Sequence, residues 1–136
     1  MTQPRTIRVV AAILERDGHY LITQRRGSAV LPLMWEFPGG RVEPNETDAQ
    51  ALKREVLHRL GAAIEVGKLI SFVSHPYEHY VVDLFLYECR LLSEQMETRN
   101  VSAYRWVVIS SIRSILSLIV FHSRGRSKGI SHYVHV

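Results

Sequence analysis

A mixed α/β domain is the fold class the sequence predicts, and three observations predict it. Two apolar runs, residues 7–14 and 20–23, flank Asp17-Gly18, a dipeptide that favours a tight antiparallel turn. Residues 48–60 have helical spacing, with a start signal before them and a stop signal after. Beyond them, β-branched and aromatic runs return at 63–73, 81–90 and 105–109. Strands around one strongly marked helix bury their apolar faces by packing in layers.

In chain order, IRVVAAIL (7–14) is an apolar run of strand length, and YLIT (20–23) is its return strand. Residues 25–28 read as a loop. In MWEFPGGR (34–41), Pro38, Gly39 and Gly40 are expected to end any regular element. The helix then opens with Thr47 and Gln50 in a capping box, where hydroxyl and side-chain carbonyl accept from orphan backbone donors. Leu52, Val56 and Leu60 recur every four residues and form one buried stripe, and Gly61 stands where a left-handed cap is wanted.

Residues 63–73 read as extended, interrupted at Gly67, and 75–80 as a turn. A long strand follows at 81–90, in which Asp83 is either paired or turned outward, because an unpaired buried carboxylate is costly. Cys89 reads as a small core residue. After the short strand at 105–109 the pattern weakens. Ile112, Ile115, Leu116 and Ile119 suit a helix, yet the surrounding serines oppose it, and 123–129 reads as flexible.

At 136 residues the chain has room for one domain, expected at 5–110, with an atypical basic segment at 111–136 that is partly helical or disordered. Apolar residues at 46% against 22% charged exclude a wholly disordered chain. One cysteine excludes an internal disulfide framework and fits a reducing compartment, the cytoplasm. The N-terminal residues lack an apolar signal core, and the apolar stretch 106–121 carries Arg113 and four serines, so no membrane association is expected. The net charge of +4 is unevenly spread. Residues 1–97 hold 11 Lys/Arg and all 13 Asp/Glu, a net −2, whereas 98–136 hold six Lys/Arg and no acid, a net +6. Such a stretch is either a solvated tail or a surface for polyanions such as nucleic acid.

The chemistry concentrates between Trp35 and Ala62. A glycine pair there lets backbone approach an anion or metal closely. On the helix, Glu55, His58 and Arg59 are three and four residues apart and are expected to share a face away from the apolar stripe. Glu46 and Arg54 flank loop and helix and are expected to brace one against the other.

This stretch resembles the Nudix box, G-x5-E-x7-R-E-U-x-E-E-x-G-U, where U is a bulky aliphatic residue. Gly40, Glu46, Arg54, Glu55, Val56 and Gly61 fall on the pattern without a gap. The preceding Trp35-Glu36-Phe37-Pro38-Gly39-Gly40 resembles the MutT-like branch, whose members hydrolyse nucleoside triphosphates. The resemblance extends from about Thr6 to Ile109 and implies an α/β/α sandwich around a mixed β-sheet. It also implies Mg or Mn as cofactor if the chain is active. Gly40, through its carbonyl, and Glu55 would be metal ligands, Glu55 the catalytic group, and Arg25 and Arg41 the cations meeting substrate phosphates.

The departures are as informative. Where the family has two adjacent glutamates, this chain has His58 and Arg59, and the final aliphatic is Ala62. Magnesium prefers hard oxygen ligands, and an arginine has no lone pair to give. The substitutions shift the helix face by about three charge units, which predicts a lost or weakened metal cluster. Glu55 then reads either as a residual ligand or as the partner of Arg59 in a helix-surface ion pair. His58 is either solvated or a ligand for a softer transition metal. Arg59 can meet a phosphate directly. Carboxylates that could rebuild an ion site are Glu43, Glu94 and Glu97. His75, Tyr77, His79 and Tyr80 either stack on a base, border a pocket mouth, or serve only in packing. Residues 110–136 lack both acid and proline, where MutT-like chains continue with an acidic, proline-containing turn and a helix; a shifted reading frame would leave such a break.

The resulting expectation is a domain that binds a nucleoside di- or triphosphate, or another diphosphate-containing molecule, with pyrophosphohydrolase activity weak or lost. A working metal-dependent pyrophosphohydrolase is the alternative. An interaction module for nucleic acid or protein, using the basic tail, is the third reading.

Overall fold

The computed structural model describes residues 5–28 and 33–109, which form seven strands and one helix. The atypical C-terminal segment, with its expected helix and flexible stretch, lies outside the described residues. Strand β1 (Arg5–Arg16) turns at Asp17 and Gly18, both at positive φ, into β2 (His19–Gln24). The same hairpin was expected from the dipeptide alone, though both strands run longer than their apolar runs.

The stretch after β2 departs from expectation. Trp35–Glu36 is a short strand, β3, and Gly39–Arg41 is another, β4. The glycine pair therefore does not end regular structure; it permits it. Gly39 pairs with Ala11 and Gly40 with Val10 of β1, and a Cβ on Gly39 would stand 2.0 Å from the Val10 carbonyl oxygen. Only a residue without a side chain lets the two backbones meet there.

Helix α1 (Asp48–Leu60) has the bounds its sequence signals predict. Gln50 N donates to Thr47 Oγ1 at 3.1 Å and Thr47 N donates to Gln50 Oε1 at 2.9 Å, which closes the capping box. Gly61, left-handed at φ 63°, ends the helix by donating its N–H to the Leu57 carbonyl. Leu52, Val56 and Leu60 are fully buried.

Strands β5 (Ile64–Pro76), β6 (Tyr80–Leu91) and β7 (Ala103–Val107) complete the sheet. The interruption expected at Gly67 is a register shift between Val66 and Leu69. The strand order is β3-β2-β1-β6-β5, with β4 added on β1 and β7 on β2. The β1–β6 pairing is parallel and the others antiparallel, so the sheet is mixed. Along β1 the side chains alternate between two apolar clusters. Val10, Ala12 and Leu14 pack beneath α1 with Leu52 and Val56, while Ala11 and Ile13 pack on the other face with Phe37, Leu84 and Leu86. A strand buried on both faces reads as an unbroken apolar run, which is why 9–14 shows no polar alternation. Cys89 is buried, and burial pushes its thiol up to about 11.

Candidate active site

Three segments converge beside α1: the residues after β2, strand β3, and the loop that follows β4. Their charged side chains form one alternating chain, Arg25–Glu36–Arg59–Glu55–Arg54–Glu46. Arg25 grips Glu36 with both Nε and Nη2, each at 3.2 Å. Arg59 Nη1 donates to Glu36 Oε1 at 3.1 Å, and Arg59 Nε donates to Glu55 Oε2 at 3.0 Å. Arg54 Nη1 donates to Glu55 Oε1 at 2.7 Å, and Arg54 Nε to Glu46 Oε2 at 2.8 Å. The Glu36 and Glu55 side chains are only 14% and 13% exposed, so these pairs are far better shielded than ordinary surface ion pairs.

Helical geometry explains which residues join. At about 100° per residue, Arg59 lies about 40° from Glu55 on the helix wheel and His58 about 60° the other way. Glu55 and Arg59 therefore face the strands together, while His58 is exposed and does not share their surroundings, contrary to the expected common face. The His58 backbone carbonyl accepts from Asn100 Nδ2 at 2.8 Å.

Arg54 connects the helix to the preceding loop. Besides Glu46 and Glu55, its Nη2 donates to the Arg41 carbonyl at 2.9 Å. The Arg54 hydrogen bond lowers the Glu46 carboxyl to about 2, with help from the Glu43 backbone, and raises Arg54 itself. The Glu55 carboxylate rests against Gly40, where a Cβ would come within 2.7 Å of Oε1. Arg41 ends β4 as an exposed side chain.

Other candidates fall elsewhere. Glu97 pairs with Arg99 and overlies Gly61, the C-terminal cap of the helix; Glu94 is exposed, and Glu43 lies 3.7 Å from Arg54. Among the described residues, no three His, Cys, Asp or Glu side chains are grouped to hold a metal ion. The Arg59 guanidinium stands between the Glu36 and Glu55 carboxylates, and a guanidinium supplies only hydrogen-bond donors. Asp83 accepts from Ser74 Oγ at 2.6 Å. His75, Tyr77 and Tyr80 pack ring against ring, at 4.7 and 4.8 Å between centroids.

The residue that sequence reasoning missed is Glu36. Its one local signal is a charged side chain between Trp35 and Phe37, and its significance appears only when β3 pairs with β2. That pairing sets Glu36 opposite Thr23, two residues before Arg25 and hence on the same strand face. A second unforeseen cluster pins the start of the helix. Arg8 donates to both Asp48 oxygens at 2.7 Å, Tyr87 hydroxyl donates to the same carboxylate, and the Arg8 guanidinium lies 3.7 Å from the Phe85 ring centroid.

Comparison with known proteins agrees with this geometry. A model of the NUDIX domain matches residues 9–116. A CTP pyrophosphohydrolase of Escherichia coli K12 is 46% identical over 74 residues, 54% of this chain and 53% of that protein, so the chain spans about half its length. An 8-oxo-dGTP diphosphatase of Proteus vulgaris is 32% identical over 89 residues, 63% of this chain and 80% of the relative. The solution structure of the MutT protein from methicillin-resistant Staphylococcus aureus 252 superimposes with a TM-score of 0.65 at 32% identity, covering 90% of this chain and 99% of that one. Among the described residues, no helix is long and apolar enough to cross a membrane. A mixed sheet carrying one capped helix, with the box residues lined along it, thus has its counterpart in known proteins: the chain belongs to the Nudix family, in its MutT-like branch.

Proposed function

We propose that this domain binds a nucleoside di- or triphosphate, or a related diphosphate-containing molecule, with pyrophosphohydrolase activity weak or lost. The observation that carries the reading is the position of Arg59. Its guanidinium bridges Glu55 and Glu36, where the box would place a carboxylate to draw in a divalent ion. Hydrolysis of a diphosphate needs its charge neutralised and a water activated, work that divalent ions do in metal-dependent phosphoryl chemistry. Arginines neutralise phosphate charge without activating water. Arg41, exposed beside the glycine pair, meets the polyphosphate in this reading, with Arg25 and Arg59 behind it. Glu55 retains only the task of orienting a water. The single buried cysteine supports a reducing compartment, the cytoplasm, as the place of action.

The test is a nucleotide panel assayed for pyrophosphate and phosphate release with and without magnesium or manganese, alongside calorimetric affinities. Nucleotide binding that is insensitive to magnesium, reduced by Arg41→Ala and without turnover is the expected result. Brisk magnesium-dependent pyrophosphate release, abolished by Glu55→Gln, would overturn it. The His58→Glu, Arg59→Glu double variant should gain metal-dependent hydrolysis.

A working metal-dependent nucleoside triphosphate pyrophosphohydrolase is the second reading, favoured by the activities named for the relatives and by the position of Glu55 over Gly40. The basic C-terminal segment, on which a nucleic-acid interaction would depend, lies outside the described residues.

A further inference from the structure

Glu36 is held in the way that arginines hold phosphate. One guanidinium, Arg25, clasps both carboxylate oxygens in a fork, and a second, Arg59, caps Oε1 from the helix. Carboxylate and phosphoryl groups offer arginine the same planar pair of acceptor oxygens, and both are bound bidentately by it. The three side chains are 26%, 14% and 21% exposed, so the cluster lies at the protein surface within reach of a ligand without being open to bulk water. The geometry points to an anion site, built by Arg25 and Arg59, whose resident anion is the protein's own Glu36 carboxylate. We infer that a polyphosphate reaches these arginines by displacing Glu36, so that Glu36 restrains binding rather than supporting it. The inference deepens the proposed function and rests on its reading of the arginines as phosphate ligands.

The physical basis is competition. A carboxylate tethered on β3 stands at high effective concentration beside the two guanidiniums, so an incoming phosphoryl group must replace charge-assisted hydrogen bonds already made. The apparent affinity is lowered by the fraction of molecules in which the site is filled. Glu36→Gln preserves size and leaves a weaker neutral acceptor, which should shift that balance toward the ligand. A contact to a charged partner is worth enough that the gain should be roughly tenfold.

The experiment measures inorganic tripolyphosphate and a nucleoside triphosphate by calorimetry, without metal, on the full chain, on Glu36→Gln and on Glu15→Gln. The last variant removes one negative charge at the exposed end of β1 and controls for bulk electrostatics, with an expected change of no more than about twofold. A roughly tenfold gain in Glu36→Gln, cancelled when Arg25→Gln is added, is the expected result. Equal or weaker binding by Glu36→Gln, while the natural chain binds nucleotide, overturns the inference and leaves the proposed function standing. Binding by Glu36→Gln alone upholds the inference and overturns the proposed function for the natural chain; binding by neither overturns both. Should Glu36→Gln not fold, NMR on the natural chain decides. Saturating tripolyphosphate must move the Glu36 carboxyl carbon together with the Arg25 and Arg59 Nε signals. A stationary Glu36 signal refutes displacement.

Discussion

The Glu55 carboxylate lies against Gly40 so closely that a Cβ on that glycine would stand 2.6 Å from Glu55 Cδ. The obstruction is the far end of a flexible side chain, so Gly40→Ala should be absorbed by Glu55 swinging away from Arg54 and Arg59, at a cost of about 1 kcal/mol. At Gly39 the obstruction is the Val10 backbone, which cannot swing. Gly39→Ala should therefore cost about 3 kcal/mol or more by forcing β4 off β1. Urea unfolding of the two variants checks the order, and equal losses would contradict it.

Glu46 should be visible in the acid stability of the protein. Its folded carboxyl is lowered to about 2 from an ordinary value of 4.5, first through the Arg54 hydrogen bond. A depressed carboxylate contributes stability that is fully present above the unfolded value and is lost as pH falls through the folded one. Glu46→Gln should thus flatten the fall of the urea midpoint between about pH 4.5 and pH 2 while changing its shape little above pH 6. An unchanged acid limb would show that the pair does not hold in solution.

The Arg8–Asp48 fork ties the first turn of α1 to β1, and its main effect on Asp48 is to lower the carboxyl. Arg8 is 48% exposed, so solvent screens the pair, and Asp48→Asn should cost only about 1 kcal/mol at pH 7. That loss should shrink as the medium is acidified through the Asp48 titration, because both proteins then carry a neutral side chain. A double-mutant cycle with Arg8→Ala, run at neutral and acid pH, measures the coupling.

Two substitutions separate local from tertiary support of the helix. Thr47→Ala breaks the capping box and should cost about 1 kcal/mol. Leu52→Ala empties a fully buried position and should cost about 3 kcal/mol. Thermal unfolding distinguishes them, with Leu52→Ala giving the larger fall in Tm.

What the sequence made legible was local in cause. The α1 bounds follow from Thr47, Gln50 and Gly61 acting within a few residues of themselves, and the β1–β2 hairpin follows from Asp17-Gly18. The box glutamates and arginines could be aligned by counting. Glu36 could not be read this way, because its partners Arg25 and Arg59 reach it only through β2–β3 pairing and the docking of α1. For the same reason β4 was hidden: Gly39 and Gly40 break structure in isolation, and only the approach of Val10 turns them into strand. His58 was grouped with Arg59 by spacing, while the register of the helix on its sheet separates the two.

Strand β1 is the junction of the whole molecule, hydrogen-bonded to β2 and β4 nearby and, in parallel, to β6 much later in the chain. On a ribosome, VVAAIL emerges early and its long-range partner at 80–91 comes late. Until then one side of an apolar strand is left without its mate, a condition that favours slow maturation and intermolecular pairing. The yield of native protein should accordingly depend on how quickly synthesis proceeds from the first hairpin to β6, whatever ligand the finished domain takes.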